Sequence, residues 1–174
     1  MTMRLNTSAL LTDFYELTMV QGYYLTDKNP QVVFDMFFRR PPYNGGFTVF
    51  AGLSDLVDML ESIEFSQEDL EYLESLKIFQ PSFLNYLQNF RFSGDLYAID
   101  EGAVVFPGEP LIRVHTNLIE AQIIESLLLN TINFQTLIAT KAARTYCASR
   151  GGTILEFGLR RAQGIYGAIS AARA

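Results

Sequence analysis

The chain has 174 residues, of which 49% are hydrophobic and 18% charged, and these proportions predict a globular protein with a buried core rather than a disordered chain. The formal net charge of −6 disfavours non-specific binding to nucleic acid. The charge is uneven, because Glu120, Glu125 and Glu156 are the only acidic residues after Arg113, so the basic C-terminal half can hold a small anion.

The sequence also predicts a compartment. No run of about 18 apolar residues, the length that a membrane span needs, is present, and residues 1–11 lack the pattern of a secretory signal. Cys147 is the single cysteine, so no intramolecular disulfide can form, and we expect a buried helix residue there. We therefore expect a cytoplasmic protein that binds no membrane and holds no metal through its own side chains.

Residues 8–25 predict the first helix. Asp13 and Glu16 have the spacing of a capping box, and apolar residues follow at helical intervals. Tyr15 lies off that apolar stripe, so it is expected to be exposed or turned toward a partner. A lone tyrosine there is most simply a surface or packing residue, although its ring suits an aromatic ligand.

Residues 32–38 and 47–50 predict two strands that form a hairpin. Its loop carries Arg39 and Arg40, which spacing alone marks as solvated. Neighbouring residues of a strand point to opposite faces, so only one of this pair can enter a given site unless the strand has ended.

The middle of the chain predicts helices and then short strands. Residues 53–75 predict one or two helices with a solvated acidic face, and 81–90 a further short helix. Residues 94–116 predict a compact antiparallel β unit with turns at its glycines. Residues 117–149 give the longest helical pattern, with a possible break at 130–133 and a stop at the glycines that follow.

The last segment concentrates groups that suit phosphate and ring chemistry. Residues 153–157 predict a buried strand, and residues 156–164 (EFGLRRAQG), which we call the EFGLRR motif, place Phe157 at the strand end. Arg160 and Arg161 follow Gly158, where the backbone must bend or approach a neighbour. A helix is predicted over 162–174.

Five blocks of the sequence, in the same order, resemble nicotinate phosphoribosyltransferases. They are residues 11–19 (LTDFYELTM), 34–40 (FDMFFRR), 101–111 (EGAVVFPGEPL), 132–141 (INFQTLIATK) and the EFGLRR motif. The resemblance implies an α/β fold: an α+β N-terminal domain at 1–117, with the antiparallel unit at 94–116, and then, at 118–174, a helical connection and the first strand and helix of an irregular type II phosphoribosyltransferase α/β barrel.

The resemblance also implies an activity. Such enzymes, ligases of the glycosyltransferase type, join nicotinate to phosphoribosyl diphosphate and give nicotinate mononucleotide and pyrophosphate in NAD salvage. ATP is a co-substrate, and Mg²⁺ accompanies the diphosphate. The resemblance implies a cytoplasmic homodimer with a shared active site, in which the motif tyrosine contacts the pyridine ring from the neighbouring subunit.

Residue roles follow from the matched motifs. Tyr15 and Phe157 would bind nicotinate between their rings. Arg160 would be the catalytic cation on the diphosphate, because a guanidinium can bind phosphate oxygens through two parallel hydrogen bonds. Arg161 could share that role or pair with Glu156. The resemblance also implies phosphate contacts from the two arginines of the 34–40 block.

The family's chains are more than twice this long, so the resemblance covers only their N-terminal portion. The phosphorylated histidine belongs to a later segment, and His115 does not take its role. We expect this chain to be catalytically incomplete alone. Two alternatives stay open: an interaction or dimerisation module, and a related transferase that acts on nicotinamide or quinolinate.

Overall fold

The computed structural model describes residues 8–174 and divides them into two compact units that interleave along the chain. The first unit comprises the described residues of Met1–Asp35, together with Ser54–Tyr97 and Arg113–Leu129. The second unit comprises Met36–Leu53, Ala98–Ile112 and Asn130–Ala174. Each unit is assembled from three separate segments. The domain boundary predicted at residue 117 stays a prediction.

Helices and strands are both present, which confirms the mixed α and β class. The α-helices of the described residues are α1 Phe14–Leu25, α2 Leu53–Ser62, α3 Gln67–Ser75, α4 Pro81–Gln88, α5 Leu118–Ala148 and α6 Gly164–Arg173. The strands are β1 Gln31–Met36, β2 Thr48–Val49, β3 Asp95–Ala98, β4 Val104–Val105 and β5 Ile112–Asn117. Short 3₁₀ turns occupy Pro42–Asn44 and Leu159–Arg161. No helix within residues 8–174 is both long and apolar enough to cross a membrane.

Aromatic packing holds the helices of the first unit together. Tyr24 of α1 contacts Phe83 of α4 with ring centroids 5.7 Å apart, and Phe14 meets Phe79 edge to face at 6.2 Å. Phe83 is fully buried. Burying the Phe83 ring contributes favourably to this core, because it removes a large apolar area from water.

The strands pair differently from the sequence prediction. A three-stranded sheet has the order β1-β5-β3, and β2 pairs with β4 in a separate antiparallel ribbon. The predicted hairpin of β1 with β2 is therefore wrong. Of the strands predicted at 94–116, β3 and β5 are neighbours in one sheet, whereas β4 pairs with β2. Strand pairing is set by contacts distant in sequence, which local turn patterns do not specify.

The 31 residues of α5 form one helix, and the predicted break at 130–133 does not occur. Thr131 and Ile132 are buried, whereas Asn130 is exposed. Asn and Thr each destabilise a helix by only about 0.7 kcal/mol relative to Ala, and the packing of a buried face readily outweighs this. Arg150 and Gly151, at φ values of 55° and 85°, end the helix where the glycine pair predicted a stop.

Residues 153–157 form no strand, and all five are exposed, so the prediction of a buried strand there is wrong. A strand needs a neighbour for its backbone N–H and C=O groups, and the described residues provide none for this segment. The helix predicted over 162–174 is present as α6. Ala168 is its buried residue, and Ile165, Tyr166 and Ile169 are exposed.

Candidate active-site elements

α1 begins at a capping box built from Asp13 and Glu16, as their spacing predicted. The Glu16 side chain is only 1% exposed, and its carboxylate accepts hydrogen bonds from the Asp13 backbone N–H and the Thr12 hydroxyl. From α5, Ser126 Oγ donates to Glu16 Oε2 at 2.9 Å and Gln122 Nε2 donates to Oε1 at 3.4 Å. These donors compensate the burial of the carboxylate, so Glu16 connects α1 to α5 within the first unit.

Tyr15 lies beside that carboxylate and is 55% exposed, as its place off the apolar stripe predicted. Its hydroxyl is 3.5 Å from Glu16 Oε1. The negative charge of Glu16 raises the pKa of Tyr15, and burial and the charge of Glu125 add to the increase. The Tyr15 side chain therefore stays a neutral phenol at physiological pH, and about half of it is open to solvent.

Glu125 of α5 is, after Glu16, the second carboxyl group whose charge raises the pKa of Tyr15. Burial raises the pKa of Glu125, and the negative charges of Glu16 and Asp13 raise it further. Gln122 Nε2 donates a hydrogen bond to Glu125 at 3.2 Å and opposes this increase. This end of α1 thus carries concentrated negative charge.

Arg39 and Arg40 follow the end of β1 in the second unit, and both are exposed. Neither forms a hydrogen bond or an ion pair within the part of the chain that the structure describes. They differ in their surroundings, because Arg40 lines a cavity of about 150 Å³ and Arg39 does not. The strand has ended at Met36, so strand alternation does not decide which of the two arginines can enter a site.

Phe157, Arg160 and Arg161 are exposed residues of the second unit. Phe157 is 70% exposed in irregular chain, and both arginines lie in the 3₁₀ turn. Over residues 8–174 neither arginine has a polar partner, and Arg161 does not pair with Glu156, whose carboxylate instead accepts from the Gly158 N–H. The motif therefore presents one aromatic face and two guanidinium groups that no described side chain neutralises.

The predicted site residues are divided between the two units. Tyr15 belongs to the first unit, and the other five belong to the second. Among those five, no hydrogen bond, ion pair or ring contact is formed within the described residues.

Sequence reasoning missed the carboxylate that organises part of the second unit. Glu101 accepts hydrogen bonds from the backbone N–H groups of Gly52 and Leu53, and Arg173 Nη2 of α6 donates to it at 2.7 Å. Arg173 Nη1 also donates to Gln135 Oε1 at 2.9 Å. The hydrogen bond from Arg173 lowers the pKa of Glu101, and the two backbone donors contribute. The only sequence clue was the place of Glu101 at the start of the 101–111 block.

Two residues that the sequence singled out have other surroundings. His115 packs against Tyr97 with ring centroids 5.1 Å apart, and its Nε2 has no hydrogen-bond partner within residues 8–174. Cys147 is exposed, so the prediction of a buried helix residue is wrong. It lies in the last turn of α5, beyond the buried part of that helix.

Comparison with known proteins places these elements in a family. The model of the nicotinate phosphoribosyltransferase (NAPRTase) N-terminal domain matches residues 10–133. Nicotinate phosphoribosyltransferase pncB2 of Mycobacterium tuberculosis is 42% identical over 173 residues, which is 99% of this chain and 37% of that protein. The Bacillus subtilis nicotinate phosphoribosyltransferase is 42% identical over 167 residues, covering 95% of this chain and 34% of the relative.

A solved structure agrees with the sequence comparison. The crystal structure of human nicotinic acid phosphoribosyltransferase superposes with a TM-score of 0.84 at 36% identity, over 92% of this chain and 33% of the human one. A nicotinate-nucleotide pyrophosphorylase from Pyrococcus furiosus, at 22% identity and a TM-score of 0.67, shares the fold.

The fold and the matched segments define a pyridine phosphoribosyltransferase N-terminal region. The chain belongs to the nicotinate phosphoribosyltransferase family, and it spans about a third of the length of the relatives that it matches.

Proposed function

We propose that this chain supplies the N-terminal part of an enzyme that transfers the phosphoribosyl group of phosphoribosyl diphosphate to nicotinate. The products are nicotinate mononucleotide and pyrophosphate in NAD biosynthesis, and ATP is the co-substrate. The observation that carries the proposal is the EFGLRR motif. It leaves Phe157 exposed, and it leaves Arg160 and Arg161 exposed without a polar partner among the described residues. A guanidinium group that no protein carboxylate neutralises can bind the oxygens of an anionic ligand.

The chemistry assigns each exposed side chain a task. Phe157 offers an apolar face to the pyridine ring of nicotinate, and Tyr15 of a neighbouring subunit covers the other face in a homodimer. Arg160 binds oxygens of the diphosphate, where negative charge grows as the bond to the ribose breaks. Because the cation is already in place, its attraction increases toward the transition state and lowers the barrier.

The remaining cations would hold the donor. Arg161 and the pair Arg39 and Arg40 are proposed as further phosphate contacts, because none of them forms an ion pair within the described residues. The described residues bring together no group of three or more His, Cys, Asp or Glu side chains suited to a metal ion. We therefore assign Mg²⁺ to the diphosphate oxygens of the substrate, where it would neutralise charge.

A chimaera tests the proposed reaction. This chain replaces the matching third of the Bacillus subtilis relative, and formation of the mononucleotide is measured with nicotinate, nicotinamide and quinolinate, each with phosphoribosyl diphosphate, ATP and Mg²⁺. The proposal expects turnover with nicotinate alone. Turnover with nicotinamide or quinolinate, or none with a chimaera that folds, would contradict it.

A variant of the chimaera tests the ring contact. Phe157→Leu should raise the KM for nicotinate about fivefold, because a stacked ring contributes about 1 kcal/mol beyond its buried area. Leu155→Ala is the control, because Leu155 is just as exposed in the same segment and has no proposed contact with nicotinate. Equal KM values for the two variants would remove Phe157 from the site.

A second function is favoured by exposed apolar side chains near the C-terminus. Leu155, Leu159, Ile165 and Tyr166 are all more than half exposed, and Leu159 reaches 72%. Exposed apolar surface of this kind often marks a protein interface, so the 174-residue chain could act as a self-association module. Sedimentation equilibrium tests this. Leu159→Glu should convert a dimer to a monomer. A wild-type chain that stays monomeric at a concentration of about 100 μM, roughly the dissociation constant of a weak dimer, would exclude the module.

A further inference from the structure

Residues 41–46 of the second unit, which we call the proline turn, have an unusual backbone. Tyr43 and Asn44 have φ values of 59° and 50°, so two consecutive residues other than glycine adopt the left-handed conformation. The Gly45 N–H donates a hydrogen bond to the Pro42 carbonyl at 3.0 Å and closes the turn. Left-handed residues of this kind cost free energy, so the turn persists only if the surrounding structure holds it.

Arg144 of α5 lies against the proline turn. Its guanidinium is placed over the Tyr43 ring, 5.6 Å from the ring centroid, in a cation–π contact. Gly45 leaves the space for this guanidinium, because a Cβ atom at that position would collide with Arg144 Nη1. The Arg144 side chain forms no hydrogen bond or ion pair with any residue of the described range 8–174. Its described contacts are therefore with the turn.

Arg40 is attached to the proline turn by a stiff link. A proline ring fixes its own φ and restricts the preceding residue to extended backbone, so Pro41 and Pro42 limit the directions that Arg40 can take. Arg40 and Pro42 line the same cavity together with Leu137 of α5. Leu137 precedes Arg144 by about two helical turns, so both lie on one face of α5. The turn therefore follows this face of α5, with Arg40 at one end and Arg144 at the other.

We propose that Arg144 is a positioning residue: by holding the proline turn against α5, it keeps Arg40 where it can contact a phosphate of the donor. This inference rests on the phosphate contact proposed for Arg40 and adds a residue that itself touches no substrate. Apparent affinity falls with the fraction of molecules in which the binding group is in place. Release of the turn should therefore raise the KM for phosphoribosyl diphosphate and leave the KM for nicotinate unchanged.

NMR of the 174-residue chain tests the contact without turnover. Nuclear Overhauser signals should join the Arg144 side chain to the Tyr43 ring protons. Gly45→Ala should abolish them, because the added methyl group displaces the flexible guanidinium. Gly46→Ala is the matched control and should keep them, because a Cβ atom there meets no atom within 4 Å. Neither glycine has a left-handed φ, so both variants are expected to fold.

Kinetics of the chimaera with the Bacillus subtilis relative test the consequence for the donor. Gly45→Ala and Arg144→Gln should each raise the KM for phosphoribosyl diphosphate about threefold, which is the effect of losing one exposed cation–π contact. The KM for nicotinate and kcat should stay within about twofold, and Gly46→Ala should match the unmodified chimaera. Partial unfolding would instead lower kcat and leave both KM values unchanged.

A double-mutant cycle tests whether Arg144 acts through Arg40. In an Arg40→Gln background, Arg144→Gln should raise the KM for the donor no further, because the side chain that it positions is already gone. Arg39→Gln provides the matched background, in which Arg144→Gln should still raise this KM about threefold.

Three results would overturn the proposal. The first is equal behaviour of the Gly45→Ala and Gly46→Ala variants. The second is additive effects of Arg144→Gln and Arg40→Gln, which would make Arg144 a phosphate contact in its own right. The third is an unchanged KM for the donor in Arg40→Gln, which would leave the transfer reaction standing.

Failure of the proposed reaction has a different signature. A folded chimaera without turnover would contradict that reaction, and binding of inorganic diphosphate to the 174-residue chain would then replace the kinetic test. The positioning role predicts about threefold weaker diphosphate binding in Gly45→Ala than in Gly46→Ala, by the same loss of one cation–π contact. Equal diphosphate affinities of the two variants would contradict it.

Discussion

Glu16 and Arg160 represent two opposite ways of placing a charge in this protein. The Glu16 carboxylate is buried and accepts hydrogen bonds from several donors on α1 and α5. Arg160 is exposed, and no hydrogen bond or ion pair to a described residue involves it. A charge that is satisfied inside the fold contributes to stability, whereas one that the fold leaves unsatisfied is available to a ligand. Charge alone therefore does not identify a functional residue.

The largest expected effect on stability is that of Glu16→Ala. The change leaves donors of Thr12, Gln122 and Ser126 without their acceptor inside the first unit, so the free energy of unfolding should fall by about 3 kcal/mol. Urea unfolding followed by circular dichroism measures the loss. Glu74→Ala, at an exposed position of α3, is the control and should change little. Equal midpoints for the two variants would contradict a structural role for Glu16.

Glu101→Ala should have the next largest effect, about 1–2 kcal/mol, because two backbone N–H groups and Arg173 lose a shared acceptor. Hydrogen exchange of the α6 amides should accelerate more than exchange in α4. Glu101→Gln keeps an acceptor oxygen, so its free energy of unfolding should lie between those of the wild-type protein and Glu101→Ala. Unchanged α6 exchange in Glu101→Ala would show that this carboxylate does not hold α6.

The pKa of Glu101 predicts how this contribution depends on pH. The folded pKa is lowered below the ordinary value of 4.5, so the stabilisation is present above that value and is lost as pH falls through the folded pKa. The stability difference between the wild-type protein and Glu101→Ala should therefore shrink below about pH 4.5. A difference that is constant from pH 7 to pH 3 (roughly the range around the carboxyl pKa) would contradict this linkage.

Glu125→Gln should have a smaller effect of the opposite sign. Burial and the negative charge of Glu16 raise the folded pKa of Glu125, so its ionised form is disfavoured in the folded state. The favourable contribution of the protonated form is lost as pH rises through the folded pKa. Glu125→Gln should thus stabilise the protein at pH 7 by less than about 1 kcal/mol and have no effect below pH 4. Destabilisation at pH 7 would show that the ionised carboxylate of Glu125 stabilises the folded protein.

The smallest expected effect is that of Asp35→Asn. Arg113 Nε and Nη2 donate to the two Asp35 oxygens at 2.7 and 2.8 Å, but both side chains are substantially exposed. The hydrogen bond from Arg113 lowers the pKa of Asp35, so any stabilisation is lost as pH falls through the folded pKa. The unfolding midpoint should drop only slightly, and less at high salt. A large loss of stability that persists at 1 M salt, where the Debye screening length is on the order of 3 Å, would contradict this weak role.

Local sequence patterns predicted the features that depend on neighbouring residues. Asp13 and Glu16 marked the start of α1, and the glycines at 151 and 152 marked the end of α5. Tyr15 was predicted to be exposed because it lies off the apolar stripe, and it is. These features follow from helical periodicity and capping, which act within a few residues.

Features that depend on distant residues were not predictable from the same patterns. The turn between β1 and β2 suggested a hairpin, but β1 pairs with β5 and β2 with β4. The apolar run at 153–157 suggested a strand, yet it has no pairing partner within the described residues. The Glu101 contact with Arg173 joins residues 72 positions apart. Such pairings are decided by tertiary packing, so local propensity cannot specify them.

The most direct test of the central claim compares Arg160→Ala with Glu16→Gln in the chimaera with the Bacillus subtilis relative. The account predicts that Arg160→Ala lowers kcat about a hundredfold or more and leaves the unfolding temperature unchanged, because the cation acts on the diphosphate in the transition state. Glu16→Gln should lower the unfolding temperature and leave the kcat of the folded fraction within about twofold. Full kcat in Arg160→Ala, or a loss of activity explained by unfolding, would contradict the claim that the EFGLRR motif presents a catalytic charge.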